Sequence, residues 1–295
     1  MKDGISNFNT KYVIVTPVRD EEKYFQKTYE SVISQTVLPE EWVIVNDGSR
    51  DRTGEIIDGY GKVHSWIKAV HRENRGYRKP GAGVVEAFYE GYNVLNAKDF
   101  DFMVKLDGDL DFESDYFEKC FRQFESDPKL GIGGGMIYHQ VDGGYELEEN
   151  PRFHVRGATK IYRRACWEAI GGIRRVTGWD TIDEVKANML GWETRSFPDL
   201  KLIQLRRTGM ANGTWGNSVK NGMANYISGY HPGYMLVKCL KRIFMKPYFV
   251  DSMGHFYGFL KGYLSGVPQV DDREMIQYLR RQQIRKMTFR DSILK

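Results

Sequence analysis

The sequence predicts an α/β fold: a Rossmann-like, mostly parallel central sheet followed by a C-terminal helical extension. Three observations predict it. Short β-branched apolar runs alternate with amphipathic segments through residues 12–106, the order that produces parallel strands covered on both faces. Three of the four runs stop in polar or charged turns, at the sheet edge where open α/β folds hold ligands. Beyond about residue 210 the strand signals stop and the chain becomes helical and basic. The expected division is therefore an α/β unit over 1–210 and an extension over 211–295, and 295 residues are enough for both.

Each element has its own warrant. Residues 12–16 and 42–45 are compact β-branched runs, read as buried strands. Residues 21–35 carry Phe25, Val32 and Ile33 at helical spacing. Asn46-Asp47-Gly48-Ser49 is a turn signal, and Ser49 or Asp51 can cap the helix that runs to about Tyr60. Residues 67–70 give a third strand, 82–96 a helix and 102–106 a fourth strand. Helices are expected at 115–124, 164–170 and 180–190, the last two stopped by glycines. Strands are expected at 132–138, 155–162 and 202–205.

Composition narrows the function. Cys120, Cys166 and Cys239 are odd in number and show no metal-ligand spacing, which favours a reduced compartment over a disulfide framework. Residues 1–7 lack the apolar core of a secretory signal, and no apolar run approaches the ~20 residues that span a bilayer. Residues 238–295 hold 12 Lys+Arg against 5 Asp+Glu, a balance of +7; since the whole chain is +4, residues 1–237 carry −3. A basic tail on a slightly acidic body suits an anionic surface. The expected placement is cytoplasmic, peripheral on the inner face of the membrane.

Asp107-Gly108-Asp109 directly follows the fourth apolar run. Two carboxylates two residues apart project to one side of an extended backbone. Hard oxygen ligands at that sheet edge suit Mg²⁺ or Mn²⁺ carrying a diphosphate, and Gly108 leaves room for a ligand to approach the backbone. Between the second and fourth runs, Arg75, Arg78 and Lys79 stand among glycines ahead of a helix N-terminus, a combination that attracts anions.

These segments form an ordered series. Val15-Thr16-Pro17-Val18-Arg19-Asp20-Glu21 is followed by Val45-Asn46-Asp47-Gly48-Ser49, Glu73-Asn74-Arg75-Gly76 and Leu106-Asp107-Gly108-Asp109. Lys160-Ile161-Tyr162-Arg163-Arg164, Ile170-Gly171-Gly172 and Gly178-Trp179-Asp180 complete it. Over residues 11–210 the series resembles a family 2 glycosyltransferase of the GT-A fold, of the bacterial surface-polysaccharide type. The resemblance implies that Thr16, Pro17 and Arg19 line a nucleotide pocket and that Asp47 accepts the imide N–H of uracil or thymine. It places Arg75 and Gly76 near base and ribose, Asp107 beside the ribose and metal shell, and Asp109 on Mn²⁺ or Mg²⁺. Arg206 or Arg207 stands where the family often has a histidine, available to the pyrophosphate. The implied reaction is an inverting transfer from a nucleotide sugar to a hydroxyl acceptor, a glycan or glycolipid.

Such a transfer needs a base for the acceptor proton. In this family it is an Asp opening a helix, usually preceded by Glu. Here Trp179 precedes Asp180, which stands eleven residues before Gly191 as the family's Asp stands before its helix-closing glycine. Asp183, one turn on, is the competitor. Trp179 leaves open a second reading, a non-catalytic nucleotide-sugar-binding or membrane-scaffold protein. A nucleotidyltransferase would need a Gly-rich loop after the first strand, which residues 16–21 lack. In the tail, apolar and aromatic stripes with Lys and Arg at residues 236–290 suit an anionic membrane surface or packing on the body. Nucleic acid is not expected, since no recognition motif accompanies the charge.

Overall fold

The four N-terminal apolar runs form the parallel part of one nine-stranded sheet in a computed structural model that describes residues 10–77, 79, 81–206, 213–244 and 248–294. β1 (Tyr12–Val18) lies between β2 (Glu41–Asn46) and β4 (Phe102–Leu106), and β3 (Ile67–His71) flanks β2, all parallel. Every residue of β1, β2 and β4 is buried, so these strands read as continuous apolar runs rather than alternating ones. The crossovers are α1 (Phe25–Ile33), α2 (Thr53–Val63) and α3 (Ala82–Asn93).

The second half of the sheet is mixed. β5 (Leu110–Phe112), β6 (Leu130–Val141), β7 (Gly144–Leu147), β8 (Thr159–Arg163) and β9 (Glu193–Gln204) complete the order β3-β2-β1-β4-β8-β6-β9-β5, with β7 a hairpin on β6. Four pairings are parallel and four antiparallel. β5, β7 and most of β9, up to Lys201, escape the sequence reading. β9 is interrupted by Pro198, where its register against β6 shifts beyond Gly135. The strand expected at 155–162 begins only at Thr159, because Val155 gives its N–H to the Glu184 carboxylate instead of a ladder.

Three helices pack beside these strands: α4 (Tyr116–Ser126), α5 (Arg164–Ile170) and α6 (Trp179–Met189). One apolar cluster fills each face of the sheet. A third joins Ile182 and Val185 of α6 to the tail, composed of α7 (Gly213–Ile227), α8 (Pro232–Arg242), α9 (Val250–Leu264) and α10 (Arg273–Met287). Lys186 of α6 is also paired with Asp272 just ahead of α10, at 2.7 Å. No helix among the described residues is long and apolar enough to cross a membrane.

Candidate active site

The carboxyl ends of β1 and β2 are laced together. Asp20, with φ 55°, accepts from the Arg50 N–H, while Ser49 Oγ accepts from the Asp20 N–H. Glu22 accepts from the Arg52 N–H, and Asp51 from the N–H groups of Glu22 and Thr53. Of the two caps expected for α2, Asp51 therefore serves the helix start and Ser49 serves the neighbouring loop. Gly48, at φ 70°, lies so close to Asn74 that an added Cβ would stand 2.5 Å from its Cα. Only glycine permits that approach, and it docks the loop after β3 against the loop after β2.

Asp47 sits under that contact, 7% exposed. Arg75 grips it with two bonds, 2.7 and 3.1 Å, Arg72 donates at 2.6 Å, and Arg19 lies 3.8 Å away. Both carboxylate oxygens are thus occupied, so Asp47 meets a base only by sharing or exchanging these arginines. Arg72 was missed in the sequence because it follows β3 as one more arginine of a basic loop. Arg75 also lies over Gly83, where an added Cβ would be 2.7 Å from its Nη2. The anion loop is consequently less open than its composition suggests: Arg75 is engaged, Lys79 pairs with Glu86 at 2.5 Å, and Arg78 lies outside the described residues. Gly76 keeps the loop tight, with φ 79° and its N–H on Asn74 Oδ1.

Thr16 is a correction. Its hydroxyl accepts from Trp42 Nε1 at 2.9 Å inside the core and the residue is fully buried, so its side chain lines no pocket. Pro17 is buried beside Val45. Gly108 is a second correction: what approaches it is Val18 and Phe25, with an added Cβ 2.5 Å from Val18 Cγ1. The glycine answers core packing, not a ligand.

Asp107 and Asp109 do share a neighbourhood. Asp107 is partly exposed and accepts from Lys105 Nζ. Asp109 is 3% exposed, and its carboxyl is pushed up to about 6 by burial and then by the Asp107 charge. Gln204 Nε2 donates to it at 3.3 Å, and Arg206 Nε stands 3.8 Å off while also bonding Glu21. Two adjacent carboxylates in a poorly hydrated place favour a bound cation. The residues therefore fit a divalent metal, provided that donor phosphate and water fill the remaining positions. No group of three or more His, Cys, Asp or Glu side chains converges on an ion among the described residues. Arg207 lies outside the described residues.

The two base candidates separate cleanly. Asp183 is buried with both oxygens engaged: Lys160 Nζ at 2.8 and 3.0 Å, Tyr162 Oη at 2.5 Å and the Glu184 N–H at 2.7 Å. Burial raises its carboxyl to about 6 against the pull of Lys160. A carboxylate so enclosed reaches no acceptor, which removes Asp183 as base. Asp180 is half-buried at the start of α6. Burial opposes its charge, but His154, Lys160 and Arg156 outweigh that and hold its carboxyl below the usual range. Lys160 Nζ also donates to the Asp180 carbonyl at 2.5 Å. His154 is tied to Glu184 at 2.8 Å, and His231 caps α8 by accepting from the Gly233 N–H.

Trp179 links the two carboxylate groups. Its indole has Lys105 Nζ 5.6 Å and Lys160 Nζ 5.5 Å from the ring centroid. Lys105 holds Asp107 and Lys160 holds Asp183, so one aromatic ring carries a cation from each side of the site. The sequence signal was available: Lys105 and Lys160 interrupt buried apolar strands, and a lysine there must have a partner.

The family model for glycosyl transferase family 2 matches residues 13–172, more than half of the chain. The chain belongs to glycosyl transferase family 2. Among relatives of this family, glycosyltransferase GlyA of Streptococcus pneumoniae is 28% identical over 156 residues, 52% of this chain and 20% of that protein. The putative glycosyltransferase EpsH of Bacillus subtilis is 28% identical over 174 residues, 53% of this chain and 48% of that protein. The chain thus spans between a fifth and a half of these curated relatives. Solved structures share the GT-A fold. Staphylococcus aureus TarS 1-349 gives a TM-score of 0.52 at 15% identity, over 88% of this chain and 73% of that one. The mannosyltransferase PcManGT of Pyrobaculum calidifontis, in complex with GDP-Man and Mn²⁺, gives 0.54 at 14% identity, over 95% and 76%.

Proposed function

We propose that this family 2 chain transfers a sugar, with inversion, from a nucleotide-diphosphate sugar to a hydroxyl of a lipid-linked glycan. Asp180 carries the reading. It is held ionised at a helix start, next to Trp179, whose ring bears the lysine that holds Asp107. Asp180 takes the acceptor's proton as the hydroxyl attacks the anomeric carbon, and the carbon–oxygen bond to the diphosphate breaks on the opposite side. Lys160, seated over the Trp179 ring, anchors the Asp180 backbone by donating to its carbonyl. Asp109 and Asp107 would hold Mn²⁺ or Mg²⁺, which supplies charge neutralisation to the departing diphosphate. Arg206, 3.8 Å from Asp109 and bonded to Glu21, would add a second positive charge. UDP or dTDP is favoured because the Asp47 carboxylate accepts an imide N–H once Arg72 or Arg75 yields. TarS has been solved in complex with UDP, in keeping with a uracil donor; the GDP-Man of PcManGT makes a guanine donor the natural control.

The test is a panel of UDP-, dTDP- and GDP-sugars with Mn²⁺ or Mg²⁺, measuring binding and hydrolysis for wild type, Asp109→Ala and Asp180→Asn. Metal-dependent binding that Asp109→Ala abolishes, and that Asp180→Asn keeps without turnover, supports the whole reading. Binding without turnover in the wild type, with acceptor present, points instead to a non-catalytic nucleotide-sugar-binding protein.

A further inference from the structure

α9 turns three glycines toward α7 and several large apolar side chains outward. On α9, Gly254, Gly258 and Gly262 recur every fourth residue and face α7. A Cβ on Gly258 would stand 2.0 Å from the Val219 carbonyl oxygen, and one on Gly222 of α7 would stand 2.0 Å from that of His255. The two backbones touch, so the inward stripe of α9 has little room for bulk. Met253, Phe256 and Leu260 of α9 therefore point outward and are exposed. Leu236 and Leu240 of α8 and Phe244 beyond it are exposed too, Phe244 at 81%. A patch this concentrated marks an interaction surface.

Its charge selects the occupant. Residues 231–264 contain one acid, Asp251, and that is neutralised by Arg242 and bonded by Ser218. Lys241 of α8 and Lys261 of α9 are exposed on the same two helices. The rings of Trp215 of α7 and Tyr257 of α9 lie 6.0 Å apart and are both exposed, side chains suited to the boundary between apolar and wet surroundings. A second copy docking face to face would set these lysines against their own counterparts, whereas an anionic headgroup layer pairs with them. α9 has 15 residues, too few to span a bilayer but enough to lie in its surface. α10 does not join this face: Arg280, Arg285 and Lys286 donate to carbonyls of Gly229, Asp291 and Leu294 of the chain itself.

We propose that the outer faces of α8 and α9 form a docking surface that seats in the interfacial layer of an anionic bilayer with both helices in its plane. The inference stands apart from the donor chemistry. It narrows the basic region expected at 236–290 to α8 and α9.

Flotation of the purified full chain with vesicles of phosphatidylcholine, alone or mixed with phosphatidylglycerol, tests it. The wild type is expected to float with mixed vesicles and to release as salt rises. Met253→Ser/Leu260→Ser should lose about tenfold or more in partition, and Lys241→Glu/Lys261→Glu should lose the preference for anionic lipid. Circular dichroism confirms that both variants fold, and donor binding without vesicles stays at the wild-type level. No flotation of the wild type with either vesicle overturns the proposal. So does a wild-type dimer in sedimentation that Met253→Ser/Leu260→Ser converts to monomer, which would make the face a contact between copies.

Discussion

Asp180 and Asp183 stand one turn apart on one helix, and their surroundings differ. Asp180 is half-buried with its charge held by His154, Lys160 and Arg156; Asp183 is enclosed by Lys160 and Tyr162. Asp180→Asn should lower transfer by about 10²–10⁴-fold while leaving the melting temperature and donor affinity in place, as read by initial rates beside a thermal melt. Asp183→Ala leaves Lys160 buried with Glu184, 2.9 Å away, as its remaining carboxylate, and takes the acceptor from the buried Tyr162 hydroxyl. It should cost about 1–3 kcal/mol in a denaturant titration, and lost activity should follow lost structure. Sequence spacing named both residues but not their difference, because enclosure by Lys160 and Tyr162 comes from a strand some twenty residues away. The same limit hid the arginines on Asp47 and the inward turn of Thr16. A motif states which residues are near one another and leaves open what they already hold.

At the scale of elements, the strands of the parallel half were legible because burial on both faces writes a continuous apolar run, and each run ends in residues that cannot continue it. β5, β7 and most of β9 were not. β5 has three residues, β7 is fully exposed, and β9 carries Pro198 and polar side chains that read as loop. α7 was blurred by its glycines and asparagines, which weaken a helix in isolation. One of them, Gly222, is where the α9 backbone packs. Gly258→Leu should therefore unseat the tail, with a loss of about 1–3 kcal/mol and early protease cleavage after residue 210, whereas Met253→Ser on the outer face of the same helix should leave both unchanged. The tail also has a pH signature. Burial alone would raise the Asp251 carboxyl, but the bonds from His255 and Ser218 and the charge of Arg242 hold it well below the ordinary range. A depressed carboxyl stabilises the fold above the unfolded value of about 4 and loses that contribution as pH falls below it. The drop in melting temperature between neutral pH and about pH 3 should be smaller in Asp251→Asn than in the wild type.

Across the whole molecule, the site is assembled from loops after β1, β2, β3 and β4 on one side and the start of α6 on the other. α6 in turn is the element onto which the tail packs, through Ile182, Val185 and the Lys186–Asp272 pair. Lys186→Ala should thus loosen the tail, read as faster amide exchange in α10, without touching donor affinity. The general plan was legible in the order of motifs along the chain. What the order could not convey is that the loops after β1 and β2 hold one another through Asp20, Ser49, Glu22 and Asp51. Those four residues form a single interlocked part. A chimaera that takes residue 20 from one parent and residue 50 from another separates donors from their acceptors, and should misfold at that seam. Swaps intended to change donor choice should move residues 19–53 as a block.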